Sequence, residues 1–163
     1  MTRIGVVGRI VLVTALIGWV AGCASAPPKD VTLKGSIQAS ESVNPDASGR
    51  PSPVVVKIYQ LEANSKFEQA DYFPLLDDAE ATLGGDLLAL EEMIMRPGDV
   101  KAYEGEFDPR TRYIGVTAGF RDIHQAEWRA LMEMPEKSIT KMMRRGPLVI
   151  RLDSLSISVS SGE

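Results

Sequence analysis

The chain has 163 residues, a length that suits one domain with a substantial core and is short for two. Apolar residues make up 44% of it and charged residues 25%, the proportions of a globular protein. Its formal net charge of −4 argues against nucleic acid as a partner, because binding phosphates requires a basic surface.

The first 22 residues have the pattern of an export signal. Arg3 and Arg9 form a basic segment, and an apolar run follows from Ile10 to Val20. A run of about eleven apolar residues cannot cross a bilayer, which takes roughly 20. We therefore interpret residues 1–22 as a cleaved lipoprotein signal peptide.

The signal ends in Val-Ala-Gly-Cys23, which is similar to a bacterial lipobox, where the cysteine is acylated and becomes the new N-terminus. The alternative is an ordinary signal peptide with an incidental cysteine. Cys23 is the only cysteine, so an exported domain here has no disulfide to form. We predict that residues 23–30 are the acylated cysteine and a flexible tether. Position 24 is Ala rather than the Asp of inner-membrane retention, which favours the outer membrane.

Two strands are predicted at the start of the mature domain. Val31 to Ala39 alternates apolar and polar residues, the pattern of a half-buried strand. Val54 to Leu61 is rich in β-branched and aromatic residues, with Lys57 its only charge, which predicts a strand buried on both faces. Pro51 and Pro53 lack the N–H that a β-ladder needs, so pairing should begin at about Val54.

A helical insertion is predicted next, at about residues 65–84. Ser65 to Glu68 has the spacing of a capping box, which predicts the start of one short helix. Asp77, Asp78 and Glu80 suit the first turn of a second helix, which Gly84-Gly85 should end. We expect the insertion to cover one face or edge of a sheet.

The remaining strands are predicted from apolar or alternating runs at residues 87–95, 100–107, 113–120, 128–132, 148–152 and 155–159. In the run at 113–120, Gly115 and Gly119 leave room for a bulky neighbour on one face. The apolar residues fall on even positions before Asp153-Ser154 and on odd positions after it, which predicts a hairpin turn or a bulge there. Seven or eight strands at this spacing predict an all-β fold, a two-sheet antiparallel β-sandwich over residues 31–163.

The residue types that catalysis or metal binding requires are scarce. His124 is the only histidine and lies in a polar connection, where we expect a surface residue. No Cys/His cluster has metal spacing and no glycine-rich phosphate loop follows a strand. The acidic residues near position 78 lack the spacing of a calcium loop. We therefore expect no enzymatic activity, no cofactor and no metal.

The methionines and a basic segment allow two interpretations each. Met93, Met95, Met132 and Met134 are expected in the core, although methionines also form adaptable binding surfaces. Residues 137–145 hold four basic residues and also Met142 and Met143. This segment is either a solvated loop or a contact for anionic envelope components or an acidic partner.

The loop at residues 40–53 is the strongest functional candidate, because about 14 residues exceed the usual length of a connection. Asn44-Pro45-Asp46 predicts a turn, since Asn and Asp bond to their own backbone and Pro fixes φ. Gly49 allows a positive φ, and Arg50 offers paired donors to a carboxylate. The alternative is a long loop without function.

Several motifs of the chain occur together in one known family. Asn44 to Leu61 reads Asn-Pro-Asp-x-x-Gly-Arg-Pro-Ser-Pro-Val-Val-Val-Lys-Ile-Tyr-Gln-Leu, and Ala70-Asp71-Tyr72-Phe73 follows it. The turn Arg96-Pro97-Gly98 and the strand from Tyr113 to Arg121 come later. With the lipobox cysteine, these segments in this order resemble the TssJ (SciN) family of type VI secretion lipoproteins.

The resemblance implies a transthyretin-like β-sandwich on the periplasmic face of the outer membrane, with no catalytic activity and no small-molecule substrate. It implies binding to the periplasmic domain of TssM, and through TssM to TssL. In the family, the loop between the first two strands carries much of this contact. By position, partner binding is assigned to Asn44, Pro45, Asp46, Gly49 and Arg50, and lipidation to Cys23.

Two hypotheses of other classes stay open at this point. The first is a periplasmic carrier that binds a small ligand between the sheet and the helical insertion, which would require a sizeable apolar pocket. The second is an enzyme that depends on His124 or on a pair of carboxylates.

Overall fold

The structure, a computed structural model, describes residues 31–134 and 146–162. The predictions for the signal peptide, for Cys23 and the tether, and for the basic segment 137–145 with its two methionines lie outside these residues. No helix within the described ranges is long and apolar enough to cross a membrane.

The described residues form eight strands in two four-stranded sheets. The strands are β1 Val31–Ala39, β2 Val54–Leu61, β3 Leu87–Met95, β4 Val100–Phe107, β5 Tyr113–Ala118, β6 Arg129–Glu133, β7 Leu148–Leu152 and β8 Ile157–Ser161. One sheet has the order β4-β1-β7-β8 and the other β3-β2-β5-β6; we call them the β1 sheet and the β2 sheet. This confirms the predicted β-sandwich. One pair departs from the antiparallel prediction, because β1 and β7 run parallel.

Strand β2 lies inside its sheet, with β3 on one side and β5 on the other. Val54, Val56 and Ile58 are at most 2% exposed and belong to the core between the two sheets. Tyr59 and Leu61 are fully buried in a second cluster, with the helical insertion. The prediction of a strand buried on both faces is therefore confirmed.

The inter-sheet core also contains the predicted methionines. Met95 is fully buried and Met134 is 5% exposed, while Met93 and Met132 pack against the margin of the core. Unbranched methionine side chains suit such margins, because they fill irregular gaps between the sheets. The structure confirms the core position of Met95 and Met134 and places Met93 and Met132, partly buried, against the core.

The last strand begins later than predicted. β8 starts at Ile157 because residues 153–156 form the hairpin turn, in which the backbone nitrogen of Asp153 donates to the Ser156 oxygen at 2.9 Å. The predicted hairpin at Asp153-Ser154 is confirmed. Leu155 belongs to the turn instead of the strand.

The insertion contains three short helices where two were predicted: α1 Ser65–Gln69, α2 Tyr72–Asp77 and α3 Ala79–Leu83. A 3-10 turn, Gly84–Asp86, follows them. Helix α2 contains Pro74 in its first turn, where proline is tolerated because the N–H it lacks would have no helical acceptor. The predicted stop is confirmed, since Gly84 has a φ of 56°.

Two of the predicted helix caps are wrong. Helix α1 already includes Ser65, and the side chain of the preceding Asn64 pairs with the Glu68 carboxylate at 3.1 Å without capping the backbone. Asp77 ends α2, whereas Asp78 caps α3 by accepting from the backbone nitrogen of Ala81 at 3.0 Å.

The insertion covers the outer face of the β2 sheet. Phe67, Leu75 and Leu83 pack with Tyr59 and Leu61, and each is at most 1% exposed. The ring of Phe67 lies directly over Gly115, where an added Cβ would come within 2.7 Å of a ring atom. The predicted space over Gly115 is therefore occupied by this ring.

Side chains of the sheet satisfy the carbonyl groups at the ends of these helices. Nη1 of Arg129 donates to the carbonyl oxygens of Phe67 at 3.0 Å and of Ala70 at 2.8 Å. Nζ of Lys57 donates to the Leu76 oxygen at 2.6 Å. Because the last carbonyls of a helix have no partner within the helix, these bonds fasten the insertion to the sheet.

Candidate functional site at the loop end

The topology brings four connections to the same end of the sandwich. They are residues 40–53 between β1 and β2, 96–99 between β3 and β4, 119–128 between β5 and β6, and 153–156 between β7 and β8. The registers explain this arrangement, because Gln38 pairs with Val100, Val54 with Met95 and Ala39 with Leu152. We call these four connections the loop end.

Asn44 joins three of the four connections. Its backbone nitrogen donates to the Ser154 oxygen at 2.8 Å, and its Nδ2 donates to the Pro53 oxygen at 2.8 Å. Its Oδ1 accepts from the backbone nitrogen of Arg121 at 2.9 Å. The residue is 2% exposed and has a φ of 51°, a conformation that asparagine tolerates better than most residues.

The fourth connection is attached through Ser40. Its backbone oxygen accepts from the nitrogen of Gly98 at 3.2 Å and from that of Val43 at 3.2 Å. The Val43 side chain is fully buried in the inter-sheet core. The 40–53 loop is therefore anchored at both a polar and an apolar point, and its conformation follows from the sandwich.

The tip of this loop is closed by Asp46 and Arg50. Oδ1 of Asp46 accepts from the backbone nitrogens of Ser48 at 2.8 Å and of Arg50 at 3.0 Å. Its Oδ2 accepts from Nε of Arg50 at 2.8 Å and from Nη2 at 2.7 Å. Gly49, with a φ of 76°, makes the turn between them, as predicted.

These bonds set the charge and the exposure of the tip. The backbone N–H and then the guanidinium of Arg50 hold the pKa of Asp46 below its ordinary value. The Asp46 side chain is 18% exposed, whereas that of Arg50 is 79% exposed. The loop therefore presents a guanidinium in a fixed orientation to the solvent.

The five residues predicted to bind a partner occupy two different environments. Asp46, Gly49 and Arg50 come together at the exposed tip, and Pro45 is half-buried beside them. Asn44 lies beneath the tip, and both ends of its side-chain amide are bonded within the chain. We therefore predict that the Asn44 side chain positions the loop instead of contacting a partner.

The contribution of residues 119–128 and 153–156 to this end was not predicted from the sequence. Their only local signal was polarity. His124 lies in the first of these connections and is exposed, as expected of a surface residue.

The space between the β2 sheet and the insertion, where the carrier hypothesis places its ligand, is filled by buried side chains. A cavity of about 430 Å³ lies instead at the β1 sheet, lined in part by Lys34, Glu104 and Leu148. Within residues 31–134 and 146–162, no three His, Cys, Asp or Glu side chains are grouped to hold a metal ion.

The chain is similar to known proteins along nearly all of its described length. The T6SS-SciN family, described as type VI secretion lipoprotein, VasD, EvfM, TssJ, matches residues 31–155. The T6SS lipoprotein TssJ1 from Pseudomonas aeruginosa is 32% identical, with a TM-score of 0.74 over 83% of this chain and 98% of that one. A search of curated proteins gives no significant match.

Two further solved structures have the same fold. Serratia marcescens Lip, described as a membrane-bound component of the type VI secretion system, is 26% identical, with a TM-score of 0.70 over 80% of this chain and 97% of that one. A chain of a structure described as the C-terminal domain of the T6SS protein TssM from EAEC is 29% identical. Its TM-score is 0.62, over 79% of this chain and 97% of that one. From its fold and the match over residues 31–155, the chain belongs to the type VI secretion lipoprotein family that includes TssJ.

Proposed function

We propose that this protein is a non-catalytic lipoprotein that anchors the type VI secretion membrane complex to the outer membrane by binding the periplasmic domain of TssM. Its family consists of type VI secretion lipoproteins, which supports a structural role in that system. The similarity to a chain of a structure described as a TssM domain supports TssM as the partner. TssL is then reached through TssM.

The observation that carries the proposal is the fixed loop tip. A loop that is ordered before binding loses less conformational entropy when the complex forms. Asp46 accepts from Nε and Nη2 of Arg50, and no hydrogen bond to Nη1 occurs among residues 31–134 and 146–162, so Nη1 can donate to a partner carboxylate or carbonyl. In this proposal Pro45, Gly49 and Arg50 contact TssM, Asp46 orients Arg50, and Asn44 positions the loop.

The membrane anchor in this proposal is Cys23, acylated after removal of residues 1–22. Residues 23–30 separate the acyl chains from the first strand, so the sandwich can reach TssM from the membrane surface. Acylation holds the protein firmly when more than one chain is attached.

The anchor is tested by labelling cells with radioactive palmitate and fractionating their membranes. The wild-type protein should carry the label and sediment with the outer membrane. The variant Cys23→Ser should be unlabelled and released into the periplasm. Wild-type protein without label, or in the inner-membrane fraction, would contradict the anchor.

The partner is tested by calorimetry with the periplasmic domain of the cognate TssM and the soluble C23S protein. Arg50→Ala should weaken binding about tenfold or more, the usual effect of an anchoring arginine. Arg110→Ala is the matched control, because Arg110 is also exposed and paired with a nearby aspartate, Asp108, but lies at the opposite end of the sandwich. Equal affinities of the two variants would remove the loop tip from the interface.

A further inference from the structure

The insertion leaves part of the outer face of the β2 sheet uncovered. Tyr59 and Leu61 pack with the helices of the insertion, whereas Val55 and Ile94, nearer the loop end, belong to neither buried cluster of the described residues. These two residues form a row with Gly119, because Ile94 is the register partner of Val55 and the nitrogen of Gly119 donates to the Val55 oxygen at 2.8 Å. Paired residues point to the same face of a sheet. Ile94 is 57% exposed and Val55 is half-buried.

Two aromatic residues from the start of α2 border this row. Phe73 is 59% exposed and meets Tyr72 edge-on, with ring centroids 5.2 Å apart. Tyr72 also meets Trp128 edge-on at 5.1 Å, so its ring is supported on both sides. Its hydroxyl lies 3.8 Å from the position a Cβ would take on Gly119. We call Val55, Ile94, Gly119, Tyr72 and Phe73 the apolar shelf.

The apolar shelf is continuous with the loop end. Val55 follows Pro53, whose carbonyl oxygen accepts from Asn44, by two residues. Gly119 opens the connection that bonds to Asn44 through Arg121. A protein bound to the loop tip would therefore also be next to the shelf. Exposed aromatic side chains such as those of the shelf often contribute most of the binding energy of an interface.

The charge around the shelf indicates what covers it. Residues 71–80, which include the two aromatic residues of the shelf, hold four acidic residues and no basic one: Asp71, Asp77, Asp78 and Glu80. Asp71 and Asp77 flank α2, both are exposed, and no salt bridge among the described residues involves either of them. An anionic phospholipid surface would be repelled here, whereas a protein segment with Lys or Arg would be attracted.

We propose that the apolar shelf is a second docking surface, which receives an apolar side chain flanked by lysine or arginine from the protein that the loop end binds. The proposal rests on the proposed function, because the shelf extends the same surface. In this proposal the partner is recognised by two parts of the shelf. One is the row formed by Val55, Ile94 and Gly119, and the other is the exposed ring of Phe73.

The test measures calorimetric affinity for the periplasmic domain of TssM. Phe73→Ser should weaken binding about tenfold, as expected for an aromatic anchor. Asp71→Asn combined with Asp77→Asn should weaken binding and reduce its dependence on salt. The matched control is Leu90→Ser, which removes an apolar side chain that is 37% exposed on the same strand as Ile94 but farther from the loop end, and it should leave the affinity unchanged.

The outcomes separate the two proposals. F73S binding within twofold of wild type, while R50A is weakened, overturns the shelf and leaves the proposed function intact. If wild-type protein does not bind the domain, both fail. Loss of affinity in L90S equal to that in F73S overturns the shelf as the specific surface.

Two further measurements complete the test. If near-ultraviolet circular dichroism shows that F73S is not folded, Ile94→Ser decides, and wild-type affinity in I94S overturns the shelf. Binding to vesicles of phosphatidylethanolamine and phosphatidylglycerol (3:1) that F73S abolishes would assign the shelf to lipid and overturn a protein occupant.

Discussion

Oδ1 of Asn44 accepts a hydrogen bond from the backbone nitrogen of Arg121 at 2.9 Å, across 77 residues of chain. The bond couples the β1–β2 loop to the β5–β6 connection. Because Asn44 also holds Pro53 and Ser154, the position of the exposed tip is set by the sandwich and not by the loop alone.

Removing this side chain should destabilise the protein and the loop together. Asn44→Ala leaves two backbone groups without their partner and puts alanine at a φ of 51°, so we expect a loss of about 3 kcal/mol in the free energy of unfolding. Urea denaturation measures it. Asn44→Gly is the control, since it removes the same bonds without the strain and should lose about 1 kcal/mol less. Equal stability of N44A and wild type would contradict the coupling.

The loop tip should resist acid until Asp46 is protonated. Its pKa lies below the ordinary 3.8 because donors from Arg50 stabilise the carboxylate. A depressed folded pKa adds stability that is present above the unfolded value and lost as pH falls through the folded value. The titration of the Asp46 carboxyl carbon, followed by NMR, should therefore have a midpoint below 3.8.

The variant R50A tests how much of the lowered Asp46 pKa is due to the Arg50 side chain. It should raise the Asp46 midpoint only partly, because the largest cause is the backbone N–H of residue 50, which the variant retains. A wild-type midpoint at or above 3.8 would refute the role of these donors.

Two glycines of one strand face should respond differently to the same change. Gly115→Ala places a methyl group within 2.7 Å of the buried Phe67 ring, and such overpacking costs about 1–3 kcal/mol. Gly119→Ala places it 3.6 Å from Val55, an ordinary contact, so its stability should remain close to wild type. Thermal unfolding of the pair distinguishes overpacking from the intrinsic cost of replacing glycine. Equal losses would rule out the ring contact as the cause.

The insertion should become more mobile, without global unfolding, when the hydrogen bonds from Arg129 are removed. Arg129→Met loses the bonds to the carbonyls of Phe67 and Ala70, and about 1–2 kcal/mol of stability with them. Hydrogen exchange should accelerate in α1 and α2 while β2 stays protected. Arg112→Met, at an exposed arginine before β5, is the control and should leave the exchange rates of the helices and of β2 unchanged. Uniform acceleration across the sheets would contradict a local role.

The strands were predictable because the alternation of side chains is a local property. β1 and β2 begin and end at the predicted residues, and the prolines at 51 and 53 mark the start of pairing. The parallel pairing of β1 with β7 was not predictable, since it depends on registers between distant segments.

The partners of the buried polar residues could not be predicted from the sequence either. Gln60 reads as one polar position in an apolar strand, yet it is 3% exposed and bonds to the oxygen of Glu106 at 2.7 Å and the nitrogen of Asp108 at 2.9 Å. Asn44 was predicted in a turn with Pro45 and Asp46, but it lies at a bend between the turns at residues 40–43 and 46–49. Its burial depends on Arg121 and Ser154. Side-chain type indicates that a bond will form, whereas only the fold determines the partner.

The parallel pairing also constrains the order in which this protein folds. β1 and β7 are the inner strands of their sheet, and their paired residues Gly35 and Leu148 are roughly 110 positions apart along the chain. Until β7 is available, Ile150 and Leu152 are missing from the core and β1 has only β4 beside it. A polypeptide threaded through a membrane from its N-terminus could therefore not complete its β1 sheet until nearly all of it had crossed.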